Sequence, residues 1–185
     1  MTGLVLCGGN SERMGRDKAF LELDGKTLLQ LQVARLEAAG CDEVLISGPR
    51  GRGYEAAGKR LVEDEVCGAG PLAGLCAGLK AARGVHVLAV AVDLPGLTVD
   101  FLRWLREEAG DRDMMCPESE RGYEPLCAVY RRSVCLPIMQ QRLAENRLSL
   151  QEIVQQIARD AKARIILPRE WKVWGETLLR NWNEP

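Results

Sequence analysis

The chain has 185 residues, 46% of them hydrophobic and 28% charged, with a formal net charge of -1. That size and balance predict one soluble globular domain with a core of its own. No overall basic field marks it for nucleic acid and no polybasic tail for a membrane surface, so an anionic ligand must be held by local devices. No apolar run reaches transmembrane length, and no basic segment followed by a long apolar one opens the chain. A cytoplasmic protein with no nucleic-acid or membrane partner is therefore expected.

The elements follow in order. Gly3 to Cys7 is a short apolar run ending in glycines, a buried first strand. Residues 26–39 place Leu28, Leu29, Leu31, Val33, Leu36 and Ala39 at helical spacing, and Gly40 is the stop. Glu43 to Ser47 reads as a second strand and Arg60 to Glu63 as a very short third. A helix is predicted over 71–83, with Pro71 in its first turn. Residues 85–92 form a nearly continuous β-branched and apolar run, the best central strand, buried on both faces. Residues 98–109 read as a helix capped by Thr98, with Asp100 in its first turn. Short strands are expected near 113–116, 125–130 and 163–167. Helices are expected at 133–145 and 149–160, the second opened by a capping-box pattern of Ser149 and Glu152. This alternation predicts an α/β fold: a Rossmann-like three-layer sandwich with a mostly parallel sheet in one domain spanning 1–185. In such sheets ligands gather at the carboxyl ends of the strands, which points to the loops 8–18 and 93–96.

Seven cysteines (Cys7, Cys41, Cys67, Cys76, Cys116, Cys127, Cys135) include no C-x-x-C pair. They are read as small hydrophobes in a reducing compartment, not as zinc ligands or a disulfide framework. The lone histidine, His86, opens the strand 85–92 and is read as structural. Trp171 and Trp174 are read as packing residues.

Residues 6–18 concentrate chemistry in Leu-Cys-Gly-Gly-Asn-Ser-Glu-Arg-Met-Gly-Arg-Asp-Lys. Gly8 and Gly9 permit positive φ and close approach of backbone amides to a ligand. Arg13 supplies a forked donor for phosphate oxygens, and Lys18 a compact cation for a triphosphate. The P-loop spacing does not occur. Gly68-Ala-Gly70-Pro-Leu-Ala73 satisfies a loose dinucleotide pattern, but it follows an acidic stretch, Glu63-Asp64-Glu65, and not a strand. Asp93 comes straight after the apolar strand, at its carboxyl end, where a carboxylate suits magnesium.

The segment from Leu6 to Lys18 resembles the LAGGxSxRMGxDK signature of molybdenum cofactor guanylyltransferases, a branch of the nucleotidyltransferases. The similarity continues through Glu63-Asp64, Gly70-Pro71-Leu72-Ala73-Gly74, Asp93-Leu94-Pro95 and Asn181-Trp182-Asn183 with Pro185, in order along the whole chain. The resemblance implies transfer of GMP from GTP to molybdenum-loaded molybdopterin, with Mg²⁺ as cofactor and pyrophosphate released. It implies that Leu6, Cys7, Gly8 and Gly9 contact the nucleotide through the backbone. Lys18 would bind phosphates, Asp64 the nucleotide, and Asp93 both nucleotide and magnesium. Arg13 would neutralise the triphosphate, and Asn183 would complete the metal site. Catalysis would thus fall to Arg13, Lys18 and Asp93. Proteins that deliver molybdopterin, and molybdoenzymes or their chaperones, are the implied partners. Glu63 and Glu65 compete with Asp64 on chemistry alone.

The resemblance implies guanine over cytosine: the related cytidylyltransferases carry LAAG where this chain has Gly8, and a serine-rich segment where it has Gly70 to Gly74, and an alanine methyl at position 8 would restrict a purine. CTP-dependent transfer to molybdopterin, transfer to a sugar phosphate, and nucleotide binding without turnover remain the alternatives. Three positions depart from the family pattern. Cys7 replaces alanine, Ser47 stands where some members carry asparagine, and Glu124-Pro125 replaces His-Pro. The chain also stops at Pro185. Arg147 matches a family arginine on the pterin side.

Overall fold

Strands and helices alternate as β1 (Thr2–Leu6), β2 (Glu22–Leu23), β3 (Lys26–Thr27), α1 (Leu28–Ala38), β4 (Glu43–Ser47), β5 (Arg60–Val62), α2 (Pro71–Ala81), β6 (His86–Ala91), α3 (Val99–Glu108), β7 (Met114–Ser119), β8 (Gly122–Tyr123), β9 (Cys127–Arg131), α4 (Arg132–Ala144), α5 (Leu150–Asp160), β10 (Ala163–Ile166) and α6 (Pro168–Trp171). The computed structural model describes residues 1–7, 17–63 and 68–182.

The main sheet runs β10-β7-β9-β6-β1-β4-β5, with β8 paired to β7 off that path. β1 is parallel to both β4 and β6, β4 to β5, and β10 to β7. Only β9, between β6 and β7, and the short β8 run the other way. β9 returns from β7 through residues 119–126 without a helix, and a return that short permits only antiparallel pairing. The chain moves from β1 outward to β4 on one side, and later comes back to place β6 on the other. The order therefore reverses at β1 and β6, the kind of point where open α/β sheets bind ligands.

Alternate residues of each strand feed two cores. Val5, Val44, Ile46, Leu88, Val90 and Val129 face α1 and α3. Leu4, Leu6, Leu45, Val87, Ala89 and Ala128 face α2, α4 and α5. Burial on both faces explains why β6 reads as one apolar run. Each fully buried leucine of these layers contributes about 1.5–3 kcal/mol. α2 packs so closely on the sheet that a Cβ on Gly78 would lie 2.2 Å from Leu4 Cδ2.

Local signals set the helix ends. Thr98 Oγ1 accepts from Phe101 N–H at 3.3 Å, and Gly40 ends α1 at φ +89. Ser149 Oγ accepts from Glu152 N–H at 3.3 Å. The reciprocal half of that predicted capping box is not made; Glu152 instead pairs with the buried Arg142 at 3.0 Å. The helix predicted from residue 26 begins at Leu28, where Thr27 and Gln30 form a complete capping box. Residues 22–27 are a hairpin turned by Asp24 and Gly25, both at positive φ, an Asp-Gly turn of the kind that suits two-residue hairpins.

His86 Nε2 lies 2.8 Å from the carbonyl of Arg112, a structural tie. Trp171 is buried and donates to Glu118 O, and Trp174 packs at a tilt against Phe101 and Trp104. Cys7, Cys41, Cys116, Cys127 and Cys135 are free thiols, all but Cys41 buried.

Candidate functional site

The parallel strands end level. Leu6 is in register with Ser47 and with Ala91, and Ser47 with Val62. The loops leaving β1, β4, β5 and β6 therefore emerge on one edge. Cys7 N–H donates to Ser47 O at 2.8 Å, Val92 N–H to Leu6 O at 3.1 Å and Gly48 N–H to Val62 O at 3.2 Å, which carries the ladder past the strand ends. Gly48 is needed there: a Cβ would sit 2.6 Å from Cys7 O and 2.7 Å from Tyr54 Cε2. Burial, reinforced by Asp17, pushes the Cys7 thiol well above its usual range. It remains a neutral packing group, and with its N–H bonded to Ser47 O the backbone group Cys7 has left is its carbonyl.

Across this edge Lys18 Nζ donates to Asp93 Oδ2 at 2.7 Å, joining residues 75 positions apart. Their side chains are only 20% and 18% exposed, so the pair is shielded more than a surface ion pair. Lys18 is fixed by its neighbour. Asp17 Oδ1 caps the 3-10 turn Lys18–Phe20 by accepting from Ala19 N–H at 3.0 Å. Asp17 Oδ2 accepts from Tyr54 Oη at 2.5 Å. Burial and Asp17 both raise the Tyr54 phenol, so it stays protonated and donating. Phe20, half exposed, stacks on Tyr54 with centroids 5.7 Å apart.

Asp93 is held by its loop. Trp182 N–H donates to Asp93 O at 2.9 Å. From α1, Gln32 Nε2 donates to Leu94 O and Arg35 Nη2 to Pro95 O, each at 2.8 Å. Gly96 lets the loop pass the C-terminal segment, since a Cβ there would meet Thr177 O at 2.4 Å. Gln32 Oε1 and Arg35 Nη1 are buried without a partner among the described residues, and each such group costs about 1–3 kcal/mol.

α2 follows the carboxyl end of β5, which puts its first turn on the same edge. Gly70 is its N-cap at φ +63 with no side-chain cap bond, followed by Pro71, and Gly74 is buried one turn in. Pro71 has no N–H and Ala73 N–H donates to Gly70 O at 3.2 Å, so this turn offers an anion the Leu72 N–H and the positive end of the helix.

The structure therefore gathers Leu6, Cys7, Lys18, Gly70 and Asp93 at one edge. Gly8, Gly9, Arg13, Asp64 and Asn183 lie outside the described residues, as do Glu65 and Cys67. Arg147 pairs with Glu145 and Glu152 at 3.6 Å. Glu124 accepts from Ser119 Oγ at 2.6 Å and pairs with Arg121 at 3.1 Å. No group of three or more His, Cys, Asp or Glu able to hold a metal occurs among the described residues. Sequence reasoning missed Asp17, Gln32, Arg35, Gly48 and Tyr54. For Gln32 a signal existed, because it interrupts the stripe of Leu28, Leu29, Val33 and Leu36 that α1 buries.

The model of the MobA-like NTP transferase domain matches residues 3–179. A probable molybdenum cofactor guanylyltransferase of Opitutus terrae is 39% identical over 191 residues, covering 100% of this chain and 91% of the relative. A molybdenum cofactor guanylyltransferase of Desulfosudis oleivorans is 30% identical over 185 residues, covering 99% and 89%. Among solved structures, the molybdopterin-guanine dinucleotide biosynthesis protein A of Archaeoglobus fulgidus superposes with a TM-score of 0.78 at 20% identity, covering 100% of this chain and 93% of that one. The 2-C-methyl-D-erythritol 4-phosphate cytidylyltransferase of Thermus thermophilus superposes at 0.71 and 18% identity, covering 98% and 92%. The two solved structures share the fold, the family model and the curated relatives match almost end to end, and the chain belongs to the MobA-like NTP transferases.

Proposed function

We propose that this protein transfers GMP from GTP to molybdenum-loaded molybdopterin. A terminal phosphate oxygen of the pterin attacks the α-phosphorus of GTP. The bond from that phosphorus to the α–β bridging oxygen breaks, and pyrophosphate leaves with the electron pair. The product is the guanine dinucleotide. The observation that carries the reading is the Lys18–Asp93 pair at the point where the strand order reverses, together with the guanylyltransferase relatives.

Such a transfer needs alignment and charge neutralisation more than covalent help. Lys18 would hold the triphosphate. The backbone at Leu6 and Cys7, continuing into Gly8 and Gly9, would receive the nucleotide, with Arg13 neutralising the triphosphate and Asp64 binding the nucleotide. The α2 first turn at Gly70 to Gly74 would lie against the guanine nucleotide. Asp93 fits a magnesium ligand. It is a hard oxygen donor whose only described side-chain partner is Lys18, and magnesium takes one or two carboxylates and fills its shell with phosphate and water. Asn183, which follows Trp182 and its bond to Asp93 O, would be the second protein ligand. Bound there, the cation would polarise the phosphates and offset charge on the departing pyrophosphate.

The test supplies GTP, CTP or UTP with Mg²⁺ and molybdenum-loaded molybdopterin, and identifies the product by mass. Guanine dinucleotide from GTP, with CTP at least tenfold slower, is expected. A cytosine dinucleotide as the main product, or GTP binding with no product, overturns the reading.

A further inference from the structure

Three consecutive carbonyls of the loop after β6 each receive a donor from another part of the chain. Asp93 O takes Trp182 N–H, Leu94 O takes Gln32 Nε2, and Pro95 O takes Arg35 Nη2, at 2.8–2.9 Å. Two of these donors sit three residues apart on α1 and therefore on one face. They are poor choices for that face on stability grounds. Gln32 is fully buried, its Oε1 has no partner, and Arg35 Nη1 is likewise buried and unmatched. Among the described residues no carboxylate pairs with Arg35, and burial lowers its pKa below the ordinary value. Methionine or leucine would fill the same space without an unmatched side-chain atom, and would lose only the bonds to the two loop carbonyls.

What the two side chains share is the loop. Bonds to the carbonyls of residues 94 and 95 fix the peptide planes that follow Asp93. The bond from Trp182 fixes the plane of Asp93 itself. Together they leave little freedom in the direction of the Asp93 Cα–Cβ bond, and so in where the carboxylate meets Lys18.

We propose that Gln32 and Arg35 are positioning residues that aim the Asp93 carboxylate at the metal–triphosphate through the 93–96 carbonyls. This rests on the transfer reading above. A misplacement of about 1 Å at a reacting centre costs up to about a hundredfold in rate, so the device acts on turnover more than on nucleotide affinity.

The experiment compares Gln32→Met, Arg35→Met and Arg35→Lys with the wild-type chain. Both methionine variants are expected to lower kcat about ten- to a hundredfold. The KM for GTP should stay within about threefold, and the Mg²⁺ concentration for half-maximal rate should rise about threefold or more. Arg35→Lys, which keeps one donor for Pro95 O, should recover most of kcat. Gln32→Met should melt within a few degrees of wild type, because removing an unmatched buried oxygen offsets the lost bond to Leu94 O, which keeps Leu97 N–H at 3.4 Å; a purely structural role would lower kcat and melting temperature together. Hydrogen–deuterium exchange of the Asp93, Leu94, Gly96 and Leu97 amides supplies a readout that needs no turnover. Faster exchange confined to that segment supports positioning, even if the wild-type chain makes no dinucleotide, in which case only the transfer reading fails. Unchanged exchange at 93–97, or unchanged kcat and Mg²⁺ dependence in an active enzyme, overturns the proposal. If Arg35→Met does not fold, Gln32→Met and Arg35→Lys carry the same test.

Discussion

Replacing Gly48 with alanine tests how tightly the strand edge is built. The new Cβ would lie 2.6 Å from Cys7 O and 2.7 Å from Tyr54 Cε2. Ordinary C···O approach is about 3.3 Å, so roughly 0.7 Å must be absorbed. Neither neighbour yields easily. Cys7 is tied to Ser47 by its N–H, and Tyr54 is buried and bonded to Asp17. Overpacking of this kind costs about 1–3 kcal/mol. At this chain length, about 2 kcal/mol corresponds to a melting temperature lower by roughly 4–8 °C. The displaced groups are the Cys7 backbone and the anchor of Lys18. GTP affinity should therefore fall about five- to tenfold, a loss of about 1–1.4 kcal/mol. Calorimetric melting and GTP titration in Mg²⁺ measure both. Gly58→Ala is the control: Gly58 sits at φ +68 with open space around it, so it should lose stability without losing GTP affinity. Wild-type melting and GTP affinity in Gly48→Ala would refute the packing argument.

Lys18→Ala removes the cation that meets Asp93 and should lower kcat/KM about 10²–10³-fold; a loss below fivefold in steady-state assays would count against its role. Gly78→Ala drives a methyl into Leu4 and should lower stability by about 1–2 kcal/mol after its gain in helix propensity, with KM for GTP unchanged; urea unfolding and kinetics check both halves. Burial raises the thiols of Cys7, Cys116 and Cys127, with Cys41 pushed up from 9.0 to about 11 and Cys135 to about 12. A raised folded pKa gives stability that is complete below the unfolded value and is lost as pH rises through the window above it. The urea midpoint should hold to about pH 9 and then fall, each fully buried thiol removing about 1.4 kcal/mol per pH unit. A flat profile from pH 8 to 10.5 would contradict this.

Much of the frame is legible in the sequence because its signals are short-range. The apolar run 85–92, the caps at Thr98 and Ser149 and the stop at Gly40 each act within one turn or strand. Lys18 and Asp93 were legible as a pair because both leave the carboxyl ends of central strands. What escaped depends on contacts far along the chain. β9 is reversed because residues 119–126 are too short for a crossover, which no residue type announces. Glu152 abandons its capping box because Arg142, on another helix, is buried beside it. Asp17 owes its fixed position to Tyr54, and Gln32 and Arg35 to the 94–95 carbonyls. Asp24-Gly25 is a hairpin signal lying just before the predicted helix, and only the second strand of that hairpin, Lys26–Thr27, falls within the helix pattern of residues 26–39.

The most direct measurement is a single turnover with GTP labelled at the α-phosphate, comparing the wild-type chain with Asp93→Asn. The wild-type chain should move the label into the molybdopterin dinucleotide with one pyrophosphate released per transfer. Asp93→Asn should melt within a few degrees of wild type yet transfer label at least about a hundredfold more slowly. Undiminished label transfer by Asp93→Asn, or label that never leaves GTP in the wild-type chain, would contradict the account.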